Sequence, residues 1–137
     1  MMFGLTGKIT NPIELPSVVL AYIGDAVYEL AVREYLISCG LVNVNKLHQE
    51  AVRHVRASTQ ARIFHALDGH LTEAEQAVIR RGRNAKSGHN PRCNSIIEYR
   101  ESTGFESLVG YLYLKREWSR LEEIITLARQ VIEEELK

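Results

Sequence analysis

The sequence of 137 residues has few prolines, two cysteines and no long apolar run. The prolines, Pro12, Pro16 and Pro91, lie outside the segments with helical periodicity, so none interrupts a helical pattern. No apolar stretch approaches the roughly 20 residues that span a bilayer, and the N-terminus lacks the pattern of a signal peptide. We therefore expect a cytoplasmic protein without a membrane segment. Since no nearby residue completes a metal-ligand set for Cys39 or Cys93, we expect reduced thiols without a role.

Net charge is also absent, because 17 basic side chains balance 17 acidic ones. The charges are nevertheless distributed unevenly, and residues 76–97 contain no acidic residue. That stretch carries the basic residues Arg80, Arg81, Arg83, Lys86 and Arg92. A chain that is neutral overall can still have one strongly positive face, which suits a nucleic-acid partner. A run of arginines at a helix end also interacts favourably with the helix dipole and is often only a solvated surface.

Apolar residues recur at helical spacing along the chain, and no stretch alternates as a half-buried strand does. The sequence therefore predicts an all-α protein, with residues 1–137 forming a single domain long enough to bury a core. The predicted helices cover residues 17–38, 44–67, 73–81, 94–100, 103–114 and 119–136. We expect a break near Ser58, helix caps at Thr72, Thr103 and Ser119, and a polar, basic loop over residues 82–93.

Asp25 is unusual because it lies in the middle of the most apolar predicted helix, directly after Gly24. A buried, unpaired carboxylate costs several kcal/mol, so this position requires a partner or a metal. Glycine costs about 1 kcal/mol relative to alanine in a helix interior, which indicates that a second element approaches closely at Gly24. On spacing alone, a structural ion pair with an arginine of the next helix explains Asp25 equally well.

Glu106 is a second candidate, because Gly110 follows four residues later on the same helix face. Two helices that cross at their glycines would bring Asp25 and Glu106 together. Carboxylates from facing helices suit hard cations such as Mg²⁺. Thr103 and Glu106 also have the spacing of a capping box, in which Glu106 has only a structural role. The residues alone leave both alternatives open.

The segments around these two acids resemble the two acidic motifs of the ribonuclease III family. Residues 20–30 read LAYIGDAVYEL and are similar to the signature helix of that family. Residues 105–114 read FESLVGYLYL and are similar to its second acidic helix. The two matches occur in the order that the family has, and the similarity covers essentially residues 15–135. The resemblance implies the helical bundle of the ribonuclease III endonuclease domain and Mg²⁺-assisted hydrolysis of double-stranded RNA.

The resemblance also implies roles for individual residues. Asp25 and Glu106 become the catalytic, metal-holding residues, and the metal provides a nucleophilic hydroxide and stabilises the charge that develops on the phosphate. Tyr22 takes the place of an aromatic residue at the family's dimer contact, which predicts a homodimer. Two of the family's usual acids are missing, because Ala21 and Thr103 occupy their positions.

The sequence has no room for the RNA-binding domain that often follows the catalytic domain in this family. It therefore resembles members in which the catalytic domain stands alone and matures large-subunit (23S) ribosomal RNA. We expect Arg81, Arg83 and Lys86 to contact RNA in place of that domain. A ribosomal protein is a candidate partner. Glu29, on the same helix face as Asp25, is a candidate substitute for a missing acid, although a family structural role explains it better.

Two alternatives come from other classes of protein. The missing acids at Ala21 and Thr103 favour a non-catalytic, ribonuclease III-like RNA- or ribosome-binding subunit. Retention of Asp25 and Glu106 argues against it, because an inactive site has no need for carboxylates in an apolar helix. A purely helical protein-interaction domain is the third candidate. Mg²⁺-dependent cleavage of a long RNA duplex separates the three.

Overall fold

The computed structural model describes residues 7, 9–86 and 95–135. These residues form six α-helices and no strand, with a short 3-10 turn at Pro12–Glu14. The helices are α1 (Ser17–Ser38), α2 (Val44–Val55), α3 (Ala57–Ala66), α4 (Glu73–Asn84), α5 (Ile96–Leu114) and α6 (Trp118–Glu135). The all-α prediction is therefore confirmed. None of the described helices combines the length and the apolar character needed to cross a membrane.

Helix α5 is the centre of the bundle, because α1, α3, α4 and α6 all pack against it. Phe105, Leu108 and Val109 on α5 have no exposed surface. Complete burial of such side chains contributes about 1.5–3 kcal/mol each, so α5 is the main source of the core. The ring of Phe105 meets that of Tyr28 on α1 edge to face, with centroids 5.0 Å apart. The core therefore fixes α1 against α5.

Helices α1 and α5 cross at two glycines. A Cβ atom on Gly24 would lie 2.8 Å from the backbone nitrogen of Gly110 and closer still to the carbonyl oxygen of Glu106. A Cβ atom on Gly110 would collide with the carbonyl oxygen of Leu20 and lie 2.9 Å from Cγ2 of Ile23. Any side chain at either glycine would push the two helices apart. The predicted close approach at Gly24 is thus confirmed.

The break between α2 and α3 lies at Arg56 and not at Ser58. Arg56 has an extended backbone with a ψ of 152°, which ends the helical path without glycine or proline. Two side chains of α3 bond carbonyl groups at the end of α2. Thr59 Oγ1 donates to the carbonyl oxygen of Arg53 at 2.6 Å, and Gln60 Nε2 donates to that of Val55 at 2.7 Å. These bonds satisfy helix-end groups that would otherwise need water.

The predicted division of residues 94–114 into two helices is wrong, because α5 is continuous. Thr103 does not cap a helix start; its Oγ1 donates to the carbonyl oxygen of Tyr99 within α5 at 3.0 Å. Ser107 Oγ likewise bonds the carbonyl oxygen of Thr103, at 2.7 Å. The buried hydroxyls are therefore satisfied inside the helix. This arrangement removes the capping-box alternative for Glu106.

The capping box at the start of α4 is confirmed, because Thr72 Oγ1 accepts from the Glu75 amide at 3.2 Å and Glu75 Oε1 accepts from the Thr72 amide at 3.0 Å. The helix extends to Asn84, so Gly82 and Arg83 belong to α4 and not to the predicted loop. Residues 87–93 of that loop, and residue 94 of the next predicted helix, lie outside the described residues. Helix α6 begins one position before the predicted cap at Ser119.

Candidate active site

Asp25 and Glu106 lie beside each other where α1 crosses α5. Their carboxyl groups are close enough for Asp25 to act on the carboxyl group of Glu106 both by hydrogen bonding and through its charge. Asp25 directly follows Gly24, whose missing side chain lets the backbone of Glu106 approach. The crossing therefore brings together the two acidic side chains, as the paired glycines predict.

Asp25 differs from the expected buried carboxylate, because it is exposed in the single chain, whereas Glu106 is partly buried. Although α1 is apolar around most of its circumference, the face with Val18, Val19 and Tyr22 is uncovered. Among the residues that the structure describes, no arginine or lysine forms an ion pair with Asp25. The alternative of a structural ion pair therefore finds no support.

The electrostatics of the pair favour a cation. Burial, together with the neighbouring Asp25, raises the pKa of Glu106 to about 9. A hydrogen bond from Gln60 Nε2 to Glu106 Oε2, at 3.4 Å, partly opposes this rise in pKa. Two adjacent carboxyl groups cannot both be charged at neutral pH without a large cost. A divalent cation offsets that cost, and its binding would release the proton from the pair.

Sequence reasoning missed Gln60, which is 2% exposed on α3. Its amide nitrogen contacts both Val55 and Glu106, while its Oε1 has no hydrogen-bond partner. The one available signal is helical spacing, because Gln60 lies three positions before the fully buried Ile63. That spacing predicts a polar residue facing the core, but not the helix that it contacts.

The described residues contain no group of three or more His, Cys, Asp or Glu side chains that could hold a metal. Ala21 and Thr103 are buried, and Thr103 directs its hydroxyl to its own helix. Glu29 accepts a hydrogen bond from Arg33 at 3.1 Å. The protein groups available to a metal are therefore the carboxylates of Asp25 and Glu106, beside the side-chain amide of Gln60. Mg²⁺ commonly uses one or two carboxylates and keeps several waters, so these residues fit that ion.

Tyr22 is 83% exposed. Next to it on α1, an apolar groove of about 600 Å³ runs between α1 and α6. Its lining includes Ile23, Val27, Leu30, Tyr113, Trp118 and Ile125. An exposed apolar face of this kind is typical of a surface that another protein covers.

Among the expected RNA contacts, Arg81 has a structural position. Its guanidinium donates to Ser17 Oγ at 3.1 Å and to the carbonyl oxygens of Ile13 and Leu15 at 3.0 and 3.2 Å. It thereby fastens the segment before α1 to α4. Arg83 and Lys86 are exposed, as Arg81 is, but Arg83 Nε donates to Oδ1 of the neighbouring Asn84 at 3.2 Å and not to a distant segment.

The fold and the paired carboxylates define an all-α domain with a candidate site for a divalent cation. Residues 18–117 match the profile of the family described as Ribonuclease III domain, and the chain belongs to that family. The family and fold expected from the two motifs are thus confirmed.

Two relatives and one solved structure illustrate the similarity. The chain is 52% identical to a Mini-ribonuclease 3 of Symbiobacterium thermophilum over 126 residues, which are 92% of this chain and 97% of the relative. It is 46% identical to a Mini-ribonuclease 3 of Brevibacillus brevis over 93% of this chain and 92% of the relative. A crystal structure of a protein from Fusobacterium nucleatum matches with a TM-score of 0.79 at 28% identity, covering 88% of this chain and 98% of that one.

Proposed function

We propose that this protein is a Mg²⁺-dependent endoribonuclease that hydrolyses phosphodiester bonds in double-stranded RNA. The observation that carries the proposal is the contact between Asp25 and Glu106 at the crossing of α1 and α5. Family membership and the names of the relatives support RNA cleavage. A site with two carboxylates is compatible with a metal that completes its coordination with waters and phosphate oxygens.

Asp25 and Glu106 would hold the ion, and each contributes differently. Glu106 projects from α5, and its carboxyl group would lose its proton when the cation binds. Asp25 is exposed and lies towards solvent, from which RNA approaches. When bound, Mg²⁺ supplies a nucleophilic hydroxide and stabilises charge on the phosphate. The glycine crossing keeps the two carboxylates at a fixed separation, which a two-residue site needs more than a larger one.

We propose a homodimer that covers the exposed face of α1. Tyr22 and three further apolar residues, Val18, Val19 and Leu30, are at least 41% exposed there. A two-fold axis on this face would bury Tyr22 between subunits. It would also place a second Asp25–Glu106 site near the first, so that each site cuts one strand of a duplex.

The same proposal extends to the substrate and its recognition. Selection of double-stranded RNA would rest on A-form shape and 2′-hydroxyl contacts, because side chains cannot read the deep major groove. Arg83 and Lys86 would contact phosphates, whereas the guanidinium of Arg81 already makes three hydrogen bonds within the protein. On the resemblance, we propose the 23S ribosomal RNA precursor as substrate, a ribosomal protein as an assisting partner and the cytoplasm as the location.

The test is incubation of the purified protein with a long RNA duplex, with a single-stranded RNA and with a DNA duplex, in Mg²⁺ or in EDTA. We expect short duplex fragments only from double-stranded RNA with Mg²⁺, and none from Asp25→Asn. A folded protein that binds the duplex but leaves it intact contradicts the proposal. That outcome would favour the non-catalytic RNA-binding alternative, which the absence of acids at Ala21 and Thr103 supports.

A further inference from the structure

The buried amide of Gln60 lowers the free energy of unfolding, and packing of the core does not explain why an amide is present there. Within the described ranges, its Oε1 is the buried side-chain oxygen or nitrogen that lacks a hydrogen-bond partner. Leaving such an acceptor unsatisfied costs about 1–3 kcal/mol. An apolar side chain of similar length would fill the same space without that cost. The amide therefore has a role other than packing, and the hydrogen bonds of its nitrogen indicate that role.

The orientation of the Gln60 amide is fixed by α2. Nε2 donates one hydrogen to the carbonyl oxygen of Val55 at 2.7 Å. In the flipped orientation, Oε1 would face that carbonyl oxygen, and two acceptors would repel each other. The second hydrogen of Nε2 is directed to Oε2 of Glu106 at 3.4 Å. Val55 thus aims the amide nitrogen at the carboxyl group of Glu106.

We propose that Gln60 is a positioning residue of the metal site. Its amide nitrogen holds one oxygen of Glu106, which leaves the other oxygen for the cation that Glu106 shares with Asp25. The inference rests on the proposed function, because it requires these two acids to bind a divalent cation. Groups that orient a metal ligand typically change metal affinity or activity about 10–100-fold when they are removed.

Helix α3 thereby supplies a polar group to a site whose carboxylates come from α1 and α5. Thr103 directs its hydroxyl along its own helix, and Ala21 has no polar side chain. In the part of the chain that the structure describes, Gln60 is, besides Asp25, the side chain that hydrogen-bonds Glu106. Hydrogen bonds to charged groups are roughly twice as strong as those between neutral groups. The contact of Gln60 with Glu106 should therefore shorten when the cation binds.

The first test compares Gln60→Met with Thr59→Val. Both variants remove a bond between α3 and the end of α2, but Thr59 bonds Arg53 and not Glu106. Binding of Mn²⁺ to the full chain without RNA is followed through the EPR signal of the free ion. We expect Gln60→Met to bind Mn²⁺ about 10–100-fold more weakly and Thr59→Val to bind it as the natural protein does. Equal affinities for all three proteins, or equal losses in both variants, would overturn the inference.

The second test uses the unchanged protein and does not depend on how a variant folds. The side-chain amide signals of Gln60 are followed by NMR during a titration with Mg²⁺. We expect the proton of Nε2 that faces Glu106 to move downfield, while the amide of Gln76, which bonds the carbonyl oxygen of Leu71, stays in place. Unmoved Gln60 signals at saturating Mg²⁺ would refute the positioning role.

Asp25→Asn separates this inference from the proposed function. If the natural protein binds Mn²⁺ and Asp25→Asn does not, the metal site exists. The results for Gln60 then test only whether Gln60 positions Glu106. If the natural protein binds no Mn²⁺ and cleaves no RNA, the proposed function itself has failed.

Discussion

The backbone carbonyl of Glu106 packs directly on the Cα atom of Gly24, at a distance that leaves no space for a side chain. This contact and the matching one of Gly110 on Leu20 set the separation of α1 and α5. Because Asp25 adjoins Gly24 in sequence, the helix crossing and the candidate active site share one geometry. A change that separates the helices should therefore disturb both stability and activity.

The first prediction tests that coupling with Gly110→Ala. The added methyl group would collide with the carbonyl oxygen of Leu20. Overpacking of this kind costs about 1–3 kcal/mol, so the urea midpoint should fall. Cleavage should fall further than the lost fraction of folded protein accounts for, because Glu106 moves away from Asp25. Replacement of the exposed Arg100 on the same helix by alanine is the control, and it should change neither property.

Much of this arrangement could be predicted from the sequence, because glycine is costly inside a helix. A glycine within an apolar helix indicates that another backbone approaches closely there. The glycines of two predicted helices, Gly24 and Gly110, therefore predicted where those helices cross. The start of α4 was equally predictable, since the capping box of Thr72 and Glu75 is a local pattern that local hydrogen bonds realise.

The continuity of α5 could not be predicted in the same way. By propensity, a helix boundary is expected at Ser102, Thr103 and Gly104. In the bundle, the hydroxyl groups of Ser102 and Thr103 donate to a carbonyl oxygen of the same helix, and Gly104 lies against α4. The role of Gln60 also escapes sequence reasoning. Its contact with Glu106 joins residues 46 positions apart, and no local pattern encodes that contact.

The second prediction concerns the acids themselves. Asp25→Asn and Glu106→Gln should each abolish cleavage while leaving the fold and duplex binding intact, since neither side chain supports the core. Glu29→Gln should cost much less, because Glu29 pairs with Arg33 on the surface. Cleavage of a radiolabelled duplex under single-turnover conditions provides the rates, and circular dichroism confirms folding. A folded Asp25→Asn variant with near-normal rates would remove this residue from the site.

The third prediction is a dependence of stability on pH in the absence of metal. The pKa of Glu106 is about 9 in the folded protein and 4.5 in a model compound, so folding takes up a proton between these values. The free energy of unfolding should therefore decrease as the pH rises through this window. Glu106→Gln should remove that part of the slope, and saturating Mg²⁺ should reduce it. Urea titrations in EDTA across the window measure the effect; identical slopes for both proteins would contradict the raised pKa.

The fourth prediction concerns the exposed face of α1. Sedimentation equilibrium should give twice the chain mass of 15.6 kDa for the natural protein. Tyr22→Asp should give the single mass, because a charge at the centre of an apolar contact loses its water on association. Tyr22→Phe preserves the apolar ring and serves as the matched control. A dimer that survives Tyr22→Asp would move the interface to another surface.

The last prediction distinguishes basic residues that contact RNA from one that stabilises the fold. Arg83 and Lys86 are exposed, so Arg83→Ala with Lys86→Ala should weaken binding to all RNA duplexes similarly. Each lost phosphate contact should also flatten the plot of log affinity against log salt by about one unit or slightly less. Binding is measured in the Asp25→Asn background, so that cleavage does not interfere. The fold and its urea midpoint should stay unchanged.

Arg81→Ala should have the opposite profile. Its guanidinium holds Ser17 and the carbonyl groups of Ile13 and Leu15, so its loss should lower stability. The effect should be about 0.5–1.5 kcal/mol per bond at most, because water can reach the two carbonyl groups. The salt dependence of RNA binding by the folded protein should remain that of the natural chain. If Arg81→Ala flattens the salt dependence and the double variant does not, RNA follows the N-terminal end of α1 and not the surface at Arg83 and Lys86. If none of the three changes alters the slope, the exposed basic residues of α2, Lys46 and Arg53, become the next surface to test.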